Sequence, residues 1–116
     1  VSNNKLSPRI YTTFFRTLYN ATFLNPAMSE RALELLSEVD FNEGLVAGTP
    51  STIKIAHKFG ERGFEDGTKQ LHDCGIIYEP KKPLLVCIMT RGISLDSQKL
   101  SIQSLTKTIY DYWHKQ

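Results

Sequence analysis

Cysteine is scarce in this chain, with two among 116 residues, alongside a single tryptophan and two methionines. Two thiols are too few for a disulfide scaffold. Cys74 and Cys87 have only the scattered His57, His72 and His114 as company, without metal-ligand spacing, so neither a zinc site nor any other cofactor is expected. Long apolar runs are also lacking, which excludes a membrane-spanning helix. An excess of one charge is missing too: 14 Lys and Arg are interspersed with 12 Asp and Glu, for a net +2. That is far from the basic footprint of a nucleic-acid binder, so no nucleic-acid partner is expected. The chain opens at Val1 with neither an initiator Met nor a charged and then apolar leader, so any signal peptide of a parent protein is expected to be gone already. Repeats and low-complexity tracts are absent. What is present, 41% hydrophobic and 22% charged residues, fits one small soluble unit with one core.

Helix signals bracket the chain. Ser7 before Pro8 is a cap followed by proline at the first helical position, and apolar residues recur at Ile10, Phe14 and Leu18 and at Tyr11, Phe15 and Tyr19, predicting a helix with a wide buried face. Asn25 before Pro26, or Ser29, opens a second helix, with Met28, Ala32, Leu35, Leu36 and Val39 on its apolar side and an end before Asp40. Residues 41–50, with Gly44, Gly48 and Pro50, read as a helical turn and loop in which Leu45 and Val46 want burial. Strands are predicted from Thr52 to His57, Gln70 to Tyr78 and Leu84 to Thr90, the last two joined as a hairpin through Glu79-Pro80-Lys81-Lys82. Leu84 to Met89 is apolar on both faces, which implies helices on both sides of the sheet. Asp96 or Ser94 caps a final helix with Ile102, Leu105, Ile109, Tyr112 and Trp113 on one face and Lys107, His114 and Lys115 toward its negative end.

The stretch Ile53 to Glu61, Ile-Lys-Ile-Ala-His-Lys-Phe-Gly-Glu, carries the chemistry. An alternating strand running into Lys58-Phe59-Gly60 sets a cation and a free backbone N–H side by side, and a glycine lets a substrate approach without meeting a Cβ. With the hairpin and long helix that follow, this stretch resembles the final third of the serine β-lactamase and penicillin-binding protein superfamily, closest to class A. The resemblance spans nearly the whole chain. It implies an acyl-transfer site in which Lys58 binds the substrate carboxylate and tunes the serine network, Phe59 and Gly60 line the substrate, and the backbone N–H of Glu61 serves the oxyanion hole. The superfamily's serine and its Ω-loop acid would lie upstream of Val1, so the chain is expected to be the oxyanion side of a larger active site.

Three departures qualify the substrate. Phe59 stands where a hydroxyl residue usually grips the carboxylate, and Glu61 brings a negative side chain near that group. Cys74 precedes Gly75 where an arginine anchor is common, leaving Arg62, Arg91 or His72 to substitute. Ser-x-x-Lys, the nucleophile signature of the family, occurs at Ser51 to Lys54 and Ser104 to Lys107. Both are read as accidental, the first on a strand where the two residues face opposite ways and the second in mid-helix. His57 and His72 are read as structural hydrogen-bonding groups and Lys81-Lys82 as a solvated tip. Asn20-Ala21-Thr22 matches a glycosylation pattern but falls at a helix end and is expected to be silent.

The fold class is therefore α/β (α+β), β-lactamase/transpeptidase-like: an antiparallel sheet flanked by helices, partial for want of the N-terminal strands and nucleophile helix. Its parts are a helical 1–50, a three-stranded 51–93 and a C-terminal helix 94–116. The resemblance implies a serine hydrolase acting on β-lactams or related amides in an extracytoplasmic bacterial setting. Its alternatives are a D-alanyl-D-alanine peptidase or transpeptidase acting on a peptidoglycan-like substrate, and a non-catalytic binding domain. The open edge of Leu84 to Thr90 and the Phe14, Phe15, Leu18 and Tyr19 face imply either self-association of the isolated chain or a repacking of those helices over the exposed surfaces. An even hairpin loop sets Cys74 opposite Cys87, but a directly cross-strand bridge demands a Cβ separation of about 3.8 Å, so both are expected to stay reduced.

Overall fold

The computed structural model describes residues 5–116. Its elements run α1 (Pro8–Tyr19), α2 (Pro26–Leu36), β1 (Ile55–Gly63), β2 (Lys69–Ile77), β3 (Leu84–Gly92) and α3 (Leu95–His114). Each helix starts where a short polar side chain satisfies a free N–H. Ser7 Oγ accepts from Ile10 N–H, Asn25 Oδ1 from Met28 N–H and Ser94 Oγ from Ser97 N–H. Asn25 and Ser94 are therefore the caps, rather than Ser29 and Asp96. The second helix stops at Leu36, leaving Val39 outside it.

The strands form an antiparallel sheet in the order β1-β2-β3. Helices cover both faces, as the two-sided apolar pattern of β3 requires. Ile55, Leu71, Ile77, Leu84, Val86 and Ile88 pack with Ile102 and Tyr110 of α3, and Leu45 joins them from the loop before β1. On the opposite face Cys74 and Ile76 pack under Phe15 of α1, with Tyr11, Leu33 and Leu36 around them.

Several expectations need correction. The first helix buries Phe15 alone, while Ile10, Phe14 and Tyr19 stay about half exposed, because a flat sheet face accepts a narrow stripe of a crossing helix. In α3 the buried residues are Gln98, Ile102, Thr106 and Tyr110, spaced by four, and Leu105, Ile109 and Tyr112 are exposed. Polar residues can occupy that stripe because most of their groups find partners there: Gln98 Nε2 donates to the Lys69 carbonyl at 2.9 Å and to Thr90 Oγ1 at 3.0 Å, with Gln98 Oε1 left without a partner among the described residues, and Thr106 Oγ1 donates to the Ile102 carbonyl at 2.6 Å. The apolar side chains of β3 are buried or half-buried between α1 and α3, so its open edge does not come with an open apolar face.

Cys74 and Cys87 are paired in register, as the even loop requires, and they are bonded as a disulfide with Cα atoms 3.9 Å apart. The expectation of reduced thiols is overturned because the two strands approach closely enough at this pair for the sulfurs to meet. The hairpin tip is not simply solvated. Lys82 Nζ lies 4.4 Å from the Trp113 ring, whose Nε1 donates to the Lys82 carbonyl at 2.7 Å. The buried Glu79 carboxylate accepts from Lys81 N–H at 2.8 Å and lies 3.2 Å from His114 Nδ1. Together these contacts fasten the tip to the end of α3.

Candidate functional site

The strand that carries Lys58, Phe59, Gly60 and Glu61 does not end at His57. It continues to Gly63 and returns through a turn in which Phe64 N–H donates to the Thr68 carbonyl and Gly67 takes φ +86. Gly60 is consequently a strand glycine, needed for space. It faces His72, and a Cβ there would lie 2.6 Å from the imidazole Cε1.

Hydrogen-bond alternation then fixes which backbone groups are free. Tyr78 N–H donates to the Lys54 carbonyl before β1 begins, and Phe64 N–H to the Thr68 carbonyl after it ends. Both pairs share the register of the continuous ladder between them. In an antiparallel pair such bonds come on alternate residues, so the even-numbered residues of β1 bond to β2. The N–H and C=O groups of His57, Phe59 and Glu61 point to the other side, and β1 has no further strand there among the described residues. Lys58 folds onto this same edge, where its ammonium donates to the Phe59 carbonyl at 2.7 Å and stands 5.5 Å from the Phe59 ring. A cation and the Glu61 N–H thus share one open border.

Side-chain alternation sorts the rest. Lys58, Gly60 and Arg62 face α1, together with their partners Cys74, His72 and Gln70. Phe59 and Glu61 face the other way. Phe59 stacks on Phe41 from the loop after α2, with ring centroids 4.3 Å apart. That loop is held by Asp73, whose Oδ2 accepts Leu45 N–H at 2.9 Å while its Oδ1 lies 2.8 Å from His57 Nδ1. Both His57 and Asp73 are fully buried. His57 has the structural role expected of it. Asp73 and Phe41 escaped sequence reasoning, although an acid amid apolar strand residues signals a buried partner.

His72 sits edge-on to Tyr11, ring centroids 5.2 Å apart, with Nδ1 at 3.1 Å from Gln70 Oε1. Burial holds its pKa below the usual histidine value, and the nearby Lys58 cation adds to that shift, against a smaller opposing pull from Asp73. Arg91 donates to Thr68 Oγ1 at 2.9 Å and to Asp66 at 3.3 Å, and its guanidinium lies over Phe64. Of the two Ser-x-x-Lys matches, Ser51 and Lys54 lie in the turn leading to β1 rather than on a strand. Ser104 is exposed in mid-helix, and Lys107 is paired with Asp111 at 2.9 Å. Neither pair forms a nucleophile site.

A family model described as a beta-lactamase enzyme family matches residues 1–113. No curated protein matches the chain. Among solved structures, PBP-A has a TM-score of 0.81 at 24% identity, covering 100% of this chain and 46% of that one. A beta lactamase from Xanthomonas campestris pv. campestris gives 0.78 at 22%, covering 91% and 40%. A class A beta-lactamase described as the last common ancestor of Gram-negative bacteria gives 0.79 at 21%, covering 98% and 45%. At such identities the likeness shows the fold, and the chain spans less than half the length of these proteins.

Proposed function

This chain belongs to the beta-lactamase enzyme family, and on that premise we propose that it is part of a serine hydrolase acting through an acyl-enzyme on β-lactams or related amides. Residues 1–50, 51–93 and 94–116 would serve as the helical, sheet and C-terminal helix parts of one domain portion. The observation that carries the reading is the border of β1, where the Lys58 ammonium and the outward N–H of Glu61 face the same space. A carbonyl oxygen approaching that border would find a hydrogen-bond donor held by a strand ladder and needing no reorganisation as charge develops. Gly60 makes room for the His72 ring beside the strand, Phe59 lines the substrate, and Lys58 supplies positive potential toward a serine and toward an anionic substrate end. The serine and its base would come from outside this chain. An extracytoplasmic location follows from the same reading. No described helix is long and apolar enough to cross a membrane.

Two alternatives keep specific support. A peptidase or transpeptidase acting on a peptidoglycan-like substrate is favoured by the likeness to PBP-A, a variant of which forms an acyl-enzyme complex with penicillin G. A non-catalytic binding domain is favoured by Phe59, Glu61 and Cys74, which depart from the usual pattern. Fluorescent penicillin labelling of the full-length gene product decides between enzyme and binding domain. A labelled band that disappears on prior treatment with unlabelled penicillin is the expected result, and turnover of a chromogenic cephalosporin then separates hydrolase from slow-deacylating peptidase.

A further inference from the structure

We propose that the stacked pair Phe41 and Phe59 makes this site select an apolar, preferably aromatic, group where members of the family bind a carboxylate. The inference rests on the functional reading above and narrows it, leaving Lys58 an electrostatic role without the grip on a substrate carboxylate.

Three observations carry it. First, Phe59 and Phe41 are each half-buried and stack at 4.3 Å beside the free border of β1, so they offer a ring-sized apolar wall next to the Glu61 N–H. Second, the wall is rigidly based, because the Phe41 loop is fastened by the buried Leu45 N–H to Asp73 bond four residues on. Third, the other cations, which would have to compensate for the missing hydroxyl and arginine, are elsewhere. Arg62 and His72 face α1, the face opposite Phe59. Arg91 joins that same face through the Arg62, Gln70, Arg91 register and is already engaged by Asp66 and Thr68. What does share the Phe59 face is the exposed Glu61, a negative neighbour two residues along the strand. Lys58 faces α1 as well and its ammonium is engaged by the Phe59 carbonyl, so a carboxylate on the Phe59 face meets the negative Glu61, whereas a planar apolar group gains contact with two rings.

The test uses this chain and three probes: penicillin G, its methyl ester and its benzyl ester, titrated while the Phe59 and Glu61 amide resonances are followed. Binding does not require the serine, so the outcome is independent of acylation, which the labelling experiment reads separately. The benzyl ester is expected to bind about tenfold tighter than the free acid, with the methyl ester between them, the scale of discrimination available to one apolar contact. Phe41→Ala should remove the benzyl advantage, and Phe59→Thr should turn the preference toward the free acid, with unshifted amides of β2 showing the fold intact. Tighter binding of the free acid to the wild type overturns the proposal. So does a benzyl preference that persists in both variants, or a failure of all three probes to move these amides.

Discussion

Gly60 and His72 face each other across β1 and β2 so closely that the imidazole occupies the place a side chain at residue 60 would need. The ring cannot simply swing away, since Tyr11 lies 5.2 Å from it on the other side. Gly60→Ala should therefore destabilise the fold by about 1–3 kcal/mol, the usual cost of overpacking. Urea unfolding measures it, and a free energy within error of the wild type would show that the ring yields without cost.

The same imidazole sets an acid-side dependence. Its folded pKa is depressed by burial first and by Lys58 second. Below about 6.5 the unfolded chain takes up a proton that the folded chain refuses. The contribution of His72 is thus fully present above that pH and is lost as pH falls toward the folded value. An NMR titration of the His72 ring should show a midpoint below that of an exposed histidine, and Lys58→Met should move it partway back up.

Asp73 holds His57 on one oxygen and Leu45 N–H on the other, with no exposure to water. Asp73→Ala leaves a buried imidazole and a buried amide unpartnered and should cost about 3–5 kcal/mol. Asp73→Asn retains a carbonyl acceptor and should cost less. The more specific readout is the Phe41 ring, whose nuclear Overhauser contacts to Phe59 should weaken in Asp73→Ala as the loop is released.

With Cys74 and Cys87 bonded across a sequence separation of 13, the unfolded, non-reduced protein should show no titratable thiol. Closing a loop of that size restricts the unfolded chain by about 3 kcal/mol. Reduction, or Cys87→Ser, should lower stability by an amount of that order, and two free thiols in the untreated protein would contradict the bond.

In the full-length gene product, Lys58→Ala should slow acylation by penicillin by about a hundredfold, the scale for one preorganised electrostatic group, with Lys58→Arg milder. Stopped-flow labelling reads the rate, and parental rates in both variants would reduce Lys58 to a surface charge. The 116-residue chain alone should form no penicillin adduct by mass spectrometry, since Ser51 lies in a turn and Ser104 on an exposed helix face.

Local signals were legible where the physics is local. Ser7-Pro8, Asn25-Pro26 and Ser94 announce helix starts because a cap needs only three following residues. The even hairpin loop gave the pairing of Cys74 with Cys87 for the same reason, and the motif around Lys58 drew attention to the strand edge that the structure leaves open. The far end of β1 was missed because Gly60, Glu61, Arg62 and Gly63 lack strand-like side chains, and ladder bonds to Lys69 through His72 hold them extended instead. The buried stripe of α3 was misassigned because Gln98 and Thr106 look solvent-facing until the carbonyls that receive them are known. Phe41 could not be linked to Phe59 from sequence at all, because that contact depends on where Asp73 pins the intervening loop.

The uninterrupted ladder between the Lys54–Tyr78 and Phe64–Thr68 bonds has a consequence for how this strand can vary over evolution. Substitutions along it are independent events, but a change in residue count is not. Inserting or deleting one residue ahead of Lys58, with the near end still anchored by the Lys54–Tyr78 bond, would exchange the two faces and the two edges at once from Lys58 onward. The lysine would be driven into the core, and the amide at the border would turn inward to β2. Length change here is therefore tolerable only in pairs or with a compensating bulge, so relatives that keep the chemistry should keep the spacing even where little of the sequence survives.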